Sequence, residues 1–360
     1  MASGELHRVF RERVDSVSSN DHPLIGLFGE GIPRAIIAAS GAMPLDVKAP
    51  PLSDNSDGPI VAAVSAIAEN FLDDFTARFL HRLAAGAFQK FELIVFSRDD
   101  VAALTAYQYA QELRRSGVLA SHGPRFHLWN FLHTDSDAVA QFNKIELDRL
   151  TQVLAEVTGS EITDLALTRA TGAEATRSAI LDQYTVHNAE SFVYRNAGRW
   201  LPPARHVDLL QALPTTPAPQ RDRRIGIVGT ACDLVVLHDI CADFGTVTAD
   251  LQPYGQVWPT PFSGTTNSVD MLRELARSPF HIRTSPPGRY TDALVEALSD
   301  CDLVVSSVDR NDDSFGWDLP VLRLRLAPNG ITVVDLGFRP FRPDADWIEN
   351  ARETIREALR

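Results

Sequence analysis

Arginine and aspartate residues follow two apolar runs that predict buried strands. Arg98 and Asp99 come shortly after FELIVF (91–96), and Asp309 follows DLVVSSV (302–308). A guanidinium can bind a carboxylate or a phosphate through two parallel hydrogen bonds, and an aspartate can act as a general base. We therefore predict catalytic roles for Arg98, Asp99 and Asp309. For Asp99, capping of the helix that follows is an equally good interpretation, and both stay open.

A glycine-containing turn after RRIGIV (223–228) is the best candidate for a phosphate site. Gly229 and Thr230 precede a predicted helix, whose free N–H groups attract anions, and Arg223 and Arg224 are close in sequence. We predict that these four residues contact a phosphate of a bound cofactor or substrate. The turn lacks the G-x-G-x-x-G pattern of nicotinamide sites. A plain strand-to-helix turn that requires glycine is the alternative.

Three cysteines, Cys232, Cys241 and Cys301, are an odd number without a C-x-x-C pair. The sequence therefore predicts neither a disulfide framework nor a standard zinc site, and it favours a reducing, cytoplasmic compartment. Cys232 and Cys241 fall on one predicted helix, where we interpret them as small buried residues. The histidines in SHGPRFHLWNFLH (121–133) have a spacing typical of a strand and not of a helical metal pair. We predict no metal site.

The charge balance and the hydropathy pattern exclude two classes of partner. The 360 residues include 34 lysines and arginines against 47 aspartates and glutamates, which gives a net charge of −13. Because no basic stripe is present to displace counterions from phosphates, we predict no nucleic-acid partner. No apolar run reaches the roughly 18 residues of a membrane-spanning helix, so we predict no membrane partner. The N-terminal segment is amphipathic and charged, unlike a signal peptide.

Short apolar runs alternate with helical patterns in both halves of the chain, which predicts an α/β fold. We expect two doubly wound parallel-sheet lobes of the Rossmann or flavodoxin-like kind, with a helical insertion. The predicted parts are an N-terminal lobe at 1–134, a helical region at 135–211, a proline-rich linker at 212–222 and a C-terminal lobe at 223–360. In such sheets ligands bind at the carboxyl ends of the strands, often between lobes.

Helical spacing extends from Ser65 to about Ala85, where phenylalanines recur every four positions. Phe71, Phe75 and Phe79 are predicted to face the core from this one helix. The helix leads towards FELIVF (91–96), whose continuous apolar character is typical of a strand buried on both faces of a parallel sheet.

Four segments, taken in order, form a family pattern. GEGIPRAIIAASGAMPLDV (29–47) has a G-x-x-x-P-x-E-like helix start that leads into an Ala-Ala-Gly-x-x-Pro-like turn, and FELIVFSRDD (91–100) is a strand followed by a polar turn. RRIGIVGTACD (223–233) and CDLVVSSVDR (301–310) repeat the strand-and-turn pattern in the second half. Over nearly the whole chain, this order resembles the 2-hydroxyacyl-CoA dehydratase and benzoyl-CoA reductase subunit family, in which the second segment ends in a Cys-Asp turn.

The resemblance implies a cofactor and a site for it. Members of that family are paired subunits that carry a [4Fe–4S] cluster on three cysteines and reduce an acyl-CoA thioester with an electron from an ATP-driven activator. The resemblance places the three ligands within Phe71–Asp74, Ser97–Asp99 and Val308–Asp309, and none of these residues is a cysteine. Because thiolates hold such clusters, we predict that this chain binds no cofactor and that a [4Fe–4S] cluster is possible only on a partner subunit.

The favoured hypothesis is a cluster-free subunit of a heteromeric acyl-CoA-processing enzyme of the dehydratase, or lyase, type. A homologous second subunit would be its partner and an acyl-CoA its substrate, with the site between the two lobes or at the partner interface. A stand-alone, non-redox acyl-CoA hydratase or dehydratase that uses aspartate and arginine groups is one alternative. A non-catalytic, two-lobed binding or scaffold protein is the other.

Overall fold

A computed structural model describes most of the chain, namely residues 1–17, 22–53, 58–98, 101–120, 122–134, 136–183, 186–214, 222–257, 268–280, 287–311 and 314–360. The chain forms two compact units. The first comprises Met1–Ile180, Ala197–Gln211 and Pro259–Ser285, and the second comprises Leu181–Asn196, Ala212–Trp258 and Pro286–Arg360. The domain boundaries inferred from the sequence stay a prediction, and residues 215–221 of the predicted linker lie outside the described stretches.

Eight strands form within the described stretches. They are β1 (Leu24–Phe28), β2 (Met43–Asp46), β3 (Phe91–Ser97), β4 (Arg125–Trp129), β5 (Arg224–Gly229), β6 (Thr246–Asp250), β7 (Leu303–Asp309) and β8 (Thr332–Arg339). Strands β1 and β7 are buried along their whole length. Burial on both faces explains why their sequences are nearly continuous runs of apolar and small residues, without alternation.

The helices of the described part surround these strands. They are α1 (Ala2–Glu12), α2 (Arg34–Ala39), α3 (Ala62–Ser65), α4 (Asp74–Ala84), α5 (Val101–Arg115), α6 (Asp137–Thr158), α7 (Asp164–Leu181), α8 (Ala189–Ala197), α9 (Pro203–Gln211), α10 (Val236–Cys241), α11 (Ser268–Arg277), α12 (Pro287–Ala297), α13 (Ser314–Leu326) and α14 (Ala345–Ala358). Short 3-10 helices cover Arg13–Ser16, Gly198–Trp200 and Ala327–Asn329. None of the helices described is long and apolar enough to cross a membrane.

Each unit contains a sheet of four parallel strands, and the two sheets share one strand order. The first runs β2-β1-β3-β4 and the second runs β6-β5-β7-β8. The order reverses between β1 and β3 and between β5 and β7, and ligands of such sheets bind outside the carboxyl ends of the strands at this switch point. The predicted fold class is confirmed: the chain is an α/β protein with two parallel-sheet lobes, and α6 to α9 form the helical insertion between their sequences.

The core of the first unit includes one face of α6. Leu147, Leu150 and Leu154 recur at helical spacing along α6 and belong to the same buried cluster as Ile25 of β1 and Leu93 of β3. Burial of a leucine side chain contributes about 1.5–3 kcal/mol. Apolar burial therefore holds this long helix against the sheet.

The helix predicted from Ser65 to Ala85 is wrong in its first half. The structure has the short α3 and then α4, which begins after Asp73, whose carboxylate accepts a hydrogen bond from the Thr76 N–H (3.0 Å). This cap fixes the start of the helix. Phe71 therefore precedes the helix and is 60% exposed, whereas Phe75 and Phe79 are buried as predicted.

Candidate functional site

The turn after β5 lies close to the end of β7. Gly229 has a φ of +136°, and a Cβ atom placed there would lie 1.9 Å from the Ser307 carbonyl oxygen. Only glycine avoids both the unfavourable backbone conformation and this clash. The glycine is therefore required for the close approach of the two strand ends at the switch point of the second sheet.

Thr230 and Asp309, two of the predicted site residues, are in direct contact. The Thr230 N–H donates to the Ser307 carbonyl oxygen (3.2 Å), and the Asp309 N–H donates to Thr230 Oγ1 (2.6 Å). Asp309 Oδ1 accepts a hydrogen bond from the Asn311 N–H (2.8 Å), and Asp309 is only 5% exposed. The structure thus brings Gly229, Thr230 and Asp309 together, in an arrangement held by backbone hydrogen bonds.

Arg339, the last residue of β8, joins this cluster, and Arg342 lies three residues beyond it; neither arginine was predicted. Arg339, which is buried, donates to Ser307 Oγ (3.1 Å) and to the Ala231 carbonyl oxygen (2.6 Å). Arg342 donates to Asp233 Oδ1 (3.1 Å). The sequence signal was RPFRPD (339–344), which begins at the last residue of β8 and resembles the polar residues at strand ends that identified Arg98 and Asp309.

Arg223 and Arg224 are not brought to this turn. Arg224 begins β5 and Gly229 ends it, and a six-residue strand with a rise of about 3.3 Å per residue separates them by roughly 16 Å. The Arg224 N–H donates to Asp302 Oδ2 (2.7 Å), and Arg223 Nη1 donates to the Phe244 carbonyl oxygen (3.0 Å). Both arginines therefore lie at the amino end of the strand, opposite the edge where ligands of such sheets bind.

The helix predicted directly after Thr230 starts later in the structure. Helix α10 has six residues and begins at Val236, so no helix N-terminus lies at Gly229 or Thr230. Cys232 lies in the intervening turn, which corrects its predicted place on the same helix as Cys241. The segment between Gly229 and Val236 links β5 to α10, and its backbone provides no helix N-terminus at the predicted phosphate site.

Arg98 is an exposed residue that directly follows β3. Its N–H donates to the Trp129 carbonyl oxygen (3.0 Å), and its Nη1 donates to Asn130 Oδ1 (3.2 Å). The guanidinium and the neighbouring amide thus form a solvent-facing pair at the edge of the first sheet. Such a pair can bind a carboxylate or a phosphate oxygen. Asp99, which we predicted as a general base or a helix cap, lies outside the described residues.

A buried ion cluster lies at the carboxyl ends of β1 and β2, and it was also not predicted. Arg199 donates through Nη1 to Glu30 Oε1 (3.0 Å) and to Asp46 Oδ2 (3.2 Å). The Trp200 indole N–H donates to the Asp46 carbonyl oxygen (2.8 Å). Arg199 is 153 residues from Asp46 in sequence, so no local pattern marks the pair. The contact holds the Gly198–Trp200 turn against the first sheet.

Two further buried arginines extend this cluster. Arg34 donates to the carbonyl oxygens of Pro44 (2.9 Å) and Arg199 (3.2 Å), and Arg177 is paired with Glu174. Burial, with a further contribution from the charge of Arg177, lowers the pKa of Arg34 to about 10, so its guanidinium stays charged at neutral pH. The cluster contains three arginines and three carboxylates, and such a balance of buried charge is typical of a structural ion network.

The three cysteines are buried in the second unit. Cys232 and Cys241 belong to its apolar core, and Cys301 packs against Gly226 in the middle of β5. Burial raises the pKa of all three thiols. The thiolate is the form that binds metals and reacts, so a raised pKa makes all three residues unreactive in the folded chain. The burial of Cys232 and Cys241 agrees with the sequence interpretation.

The residues at the positions expected for iron–sulfur ligands do not fit a [4Fe–4S] cluster. Asp73 caps α4, Ser97 is fully buried in β3, and Asp309 accepts from the backbone of Asn311. None of them is a thiolate, the ligand that such a cluster requires. In the described stretches, no group of three or more histidine, cysteine, aspartate or glutamate side chains is placed to hold a metal ion.

His187 is a buried histidine of the second unit. Its N–H donates to the Val247 carbonyl oxygen (2.9 Å), and the residue is 8% exposed. Burial lowers the pKa of its imidazole to about 4; the charge of Asp250 opposes this shift and those of Arg195 and His238 add to it. The folded protein therefore keeps this histidine neutral well below the pH at which an unfolded chain protonates it.

We predict that the free energy of unfolding falls as the pH is lowered from about 6.5 to 4. The unfolded chain takes up a proton near pH 6.5 and the native His187 only near pH 4, which costs up to about 3 kcal/mol across this window. Urea unfolding at a series of pH values measures the loss. In His187→Gln the loss should be smaller, whereas substitution of the exposed His122 by glutamine should leave it unchanged. Equal slopes for the parent and His187→Gln would contradict the assignment.

The family comparison covers both units of the chain. The sequence profile of the family described as 2-hydroxyglutaryl-CoA dehydratase, D-component, matches residues 31–353. No curated protein matches the chain significantly. The description names one component of a dehydratase, which points to a component of a 2-hydroxyacyl-CoA dehydratase-like system. Since the matched segment runs from the turn after β1 into α14, the resemblance found in the sequence is confirmed, and the chain belongs to the 2-hydroxyglutaryl-CoA dehydratase D-component family.

Proposed function

We propose that this chain is a cluster-free subunit of a heteromeric acyl-CoA-processing enzyme related to the 2-hydroxyacyl-CoA dehydratases. One observation carries the proposal: the positions expected for the cluster ligands hold Asp73, Ser97 and Asp309, which serve helix capping, strand burial and a backbone turn. A chain that belongs to the family but lacks the cluster ligands would be retained because it assembles with a partner subunit. The family's name for a component supports a homologous partner subunit, which would carry any [4Fe–4S] cluster.

In this proposal the substrate is an acyl-CoA, and Arg98 is the residue best placed to meet it. Its guanidinium is exposed at the carboxyl end of β3 beside Asn130, where a phosphate or carboxylate oxygen can accept its hydrogen bonds. Thr230 and Asp309 are mostly buried, so their role is to shape the strand ends of the second sheet. The three reduced, buried thiols support a reducing, cytoplasmic compartment.

Anaerobic purification followed by iron and sulfide analysis tests the cluster-free claim. We expect no stoichiometric iron or sulfide on the chain alone, and we expect a second family subunit to co-purify with it when the two are expressed together. Acyl-CoA turnover should require both chains. About four iron atoms and four sulfides per chain, bound without a partner, would overturn the proposal.

A stand-alone acid–base enzyme is the second candidate, favoured by the placement of Asp309 beside Arg339 at neighbouring strand ends. It predicts that the purified chain alone turns over an acyl-CoA and that Asp309→Asn abolishes turnover. Asp335→Asn is the matched control, because Asp335 Oδ1 likewise accepts a backbone N–H, from Gly337 (2.9 Å), on an exposed part of β8. Turnover by the single chain would reject the subunit proposal. Absence of both acyl-CoA binding and partner binding would leave the scaffold role.

A further inference from the structure

Helix α13 has two apolar faces, one towards the core and one towards solvent. The core face consists of buried residues at helical spacing, Phe315, Leu319, Leu322 and Leu326. The outer face, which we call the α13 stripe, consists of the exposed residues Trp317, Pro320, Val321 and Leu324. Trp317 is 80% exposed and Leu324 is 74% exposed. The stripe follows the i, i+3, i+4, i+7 pattern that packs a helix against another element.

An outer apolar face is unusual for a helix at the surface. The last helix, α14, buries Ala351 and Ile355 and has charged residues on its outer side, the ordinary pattern. Contiguous exposed apolar residues on a globular protein mark interaction sites more often than single exposed ones do. The α13 stripe is therefore a candidate interaction surface, and its partner should match it in shape and charge.

The charges that flank the stripe are complementary to those of a second copy of the same helix. Asp318 and Arg325 are seven residues apart, so they lie on the same flank, about two turns from each other. When two helices pack antiparallel across a two-fold axis, equivalent flanks meet, and Asp318 of one copy faces Arg325 of the other twice. The same alignment places Trp317 of one copy near Leu324 of the other. Such a self-matching arrangement is what a two-fold interface requires.

We propose that the α13 stripe is the contact of a two-fold dimer, in which α13 of one chain packs antiparallel on α13 of a second copy. Stable interfaces bury about 800 Å² on each partner, and one helix stripe provides the apolar centre of a smaller one. The dimer is therefore expected to be weak and concentration-dependent, with a dissociation constant in the micromolar range. The pairing is independent of the acyl-CoA function proposed above.

Sedimentation analysis over chain concentrations of about 1 to 100 μM tests the dimer. We expect reversible dimerisation of the parent chain and at least a roughly tenfold weaker association for Leu324→Glu. Leu165→Glu is the matched control, since Leu165 is also an exposed leucine on a helix, outside the stripe. A parent chain that stays monomeric over this range, or equal effects of the two substitutions, would overturn the proposal. The proposal would also be overturned if Leu324→Glu weakened association with a different family subunit while the parent chain did not associate with itself.

Charge reversal tests the antiparallel alignment itself. Asp318→Arg places arginine opposite arginine in both symmetry-related contacts, and Arg325→Asp places aspartate opposite aspartate, so each variant alone should dimerise poorly. Mixed together, the two variants restore opposite charges in both contacts and should form a heterodimer. Circular dichroism of each variant checks that it folds, which matters because Arg325 also pairs with Asp292 in its own chain. Failure of the mixture of folded variants to associate would reject the alignment.

Discussion

Gly229→Ala should lower the free energy of unfolding by about 2 to 6 kcal/mol. Two costs add at this position: the positive φ, which a residue with a Cβ adopts at about 1–3 kcal/mol, and overpacking, which costs about 1–3 kcal/mol. The new Cβ would lie 1.9 Å from the Ser307 carbonyl oxygen, so the end of β5 or of β7 must shift. A shift there would also break the hydrogen bond from the Thr230 N–H to Ser307.

Gly330→Ala separates the two costs. Gly330 also has a positive φ, of +72°, but a Cβ there meets no atom within 4 Å. This variant should therefore lose only about 1–2 kcal/mol, the cost of the left-handed conformation. Urea unfolding followed by circular dichroism gives both values. If the two variants lost equal amounts of stability, the close approach at Gly229 would not be a packing constraint.

Arg199→Met should cost about 3 to 5 kcal/mol of stability, because it leaves Asp46 and Glu30 without their buried cation. Methionine keeps most of the apolar stem, so the loss reports the charge and its hydrogen bonds. The free energy from urea unfolding of the full chain measures it. Lys144→Met, which removes the exposed partner of Asp148, should cost no more than about 0.5 kcal/mol.

A double variant tests whether the Arg199 effect comes from the ion pair. Asp46→Asn keeps a side-chain oxygen that can accept from the Lys48 N–H but removes the negative charge. Combined with Arg199→Met, it should cost less than the sum of the two single changes, by about 1–3 kcal/mol. Simple additivity would show that Arg199 acts through its packing and not through Asp46.

Local patterns were sufficient to predict the sheets and the edge that carries polar residues. The apolar runs at β3, β5 and β7 are nearly continuous because each strand is buried on both faces. Such a run can be recognised from the sequence alone. The contact between Thr230 and Asp309 follows from the same reasoning, since neighbouring parallel strands end at one edge. Strand burial is a property of a short segment, and the meeting of strand ends follows from the regular geometry of a parallel sheet.

Contacts between segments that are distant in sequence could not be predicted from local patterns. Arg199 reaches Asp46 across 153 positions, and nothing in the local sequence around either residue indicates the other. Arg223 and Arg224 were grouped with Gly229 by proximity in sequence, yet an extended strand separates residues that a helix would keep near. Phe71 matched a helical period, but the cap at Asp73 started the helix after it.

The position of the cysteines makes them natural probes of opening in the second unit. Cys232, Cys241 and Cys301 all belong to the second unit, and the first unit contains none. A buried thiol with a raised pKa reacts with an alkylating reagent only when its surroundings open. The rate of alkylation of this chain therefore reports how often the second unit opens, and the measurement needs no engineered label.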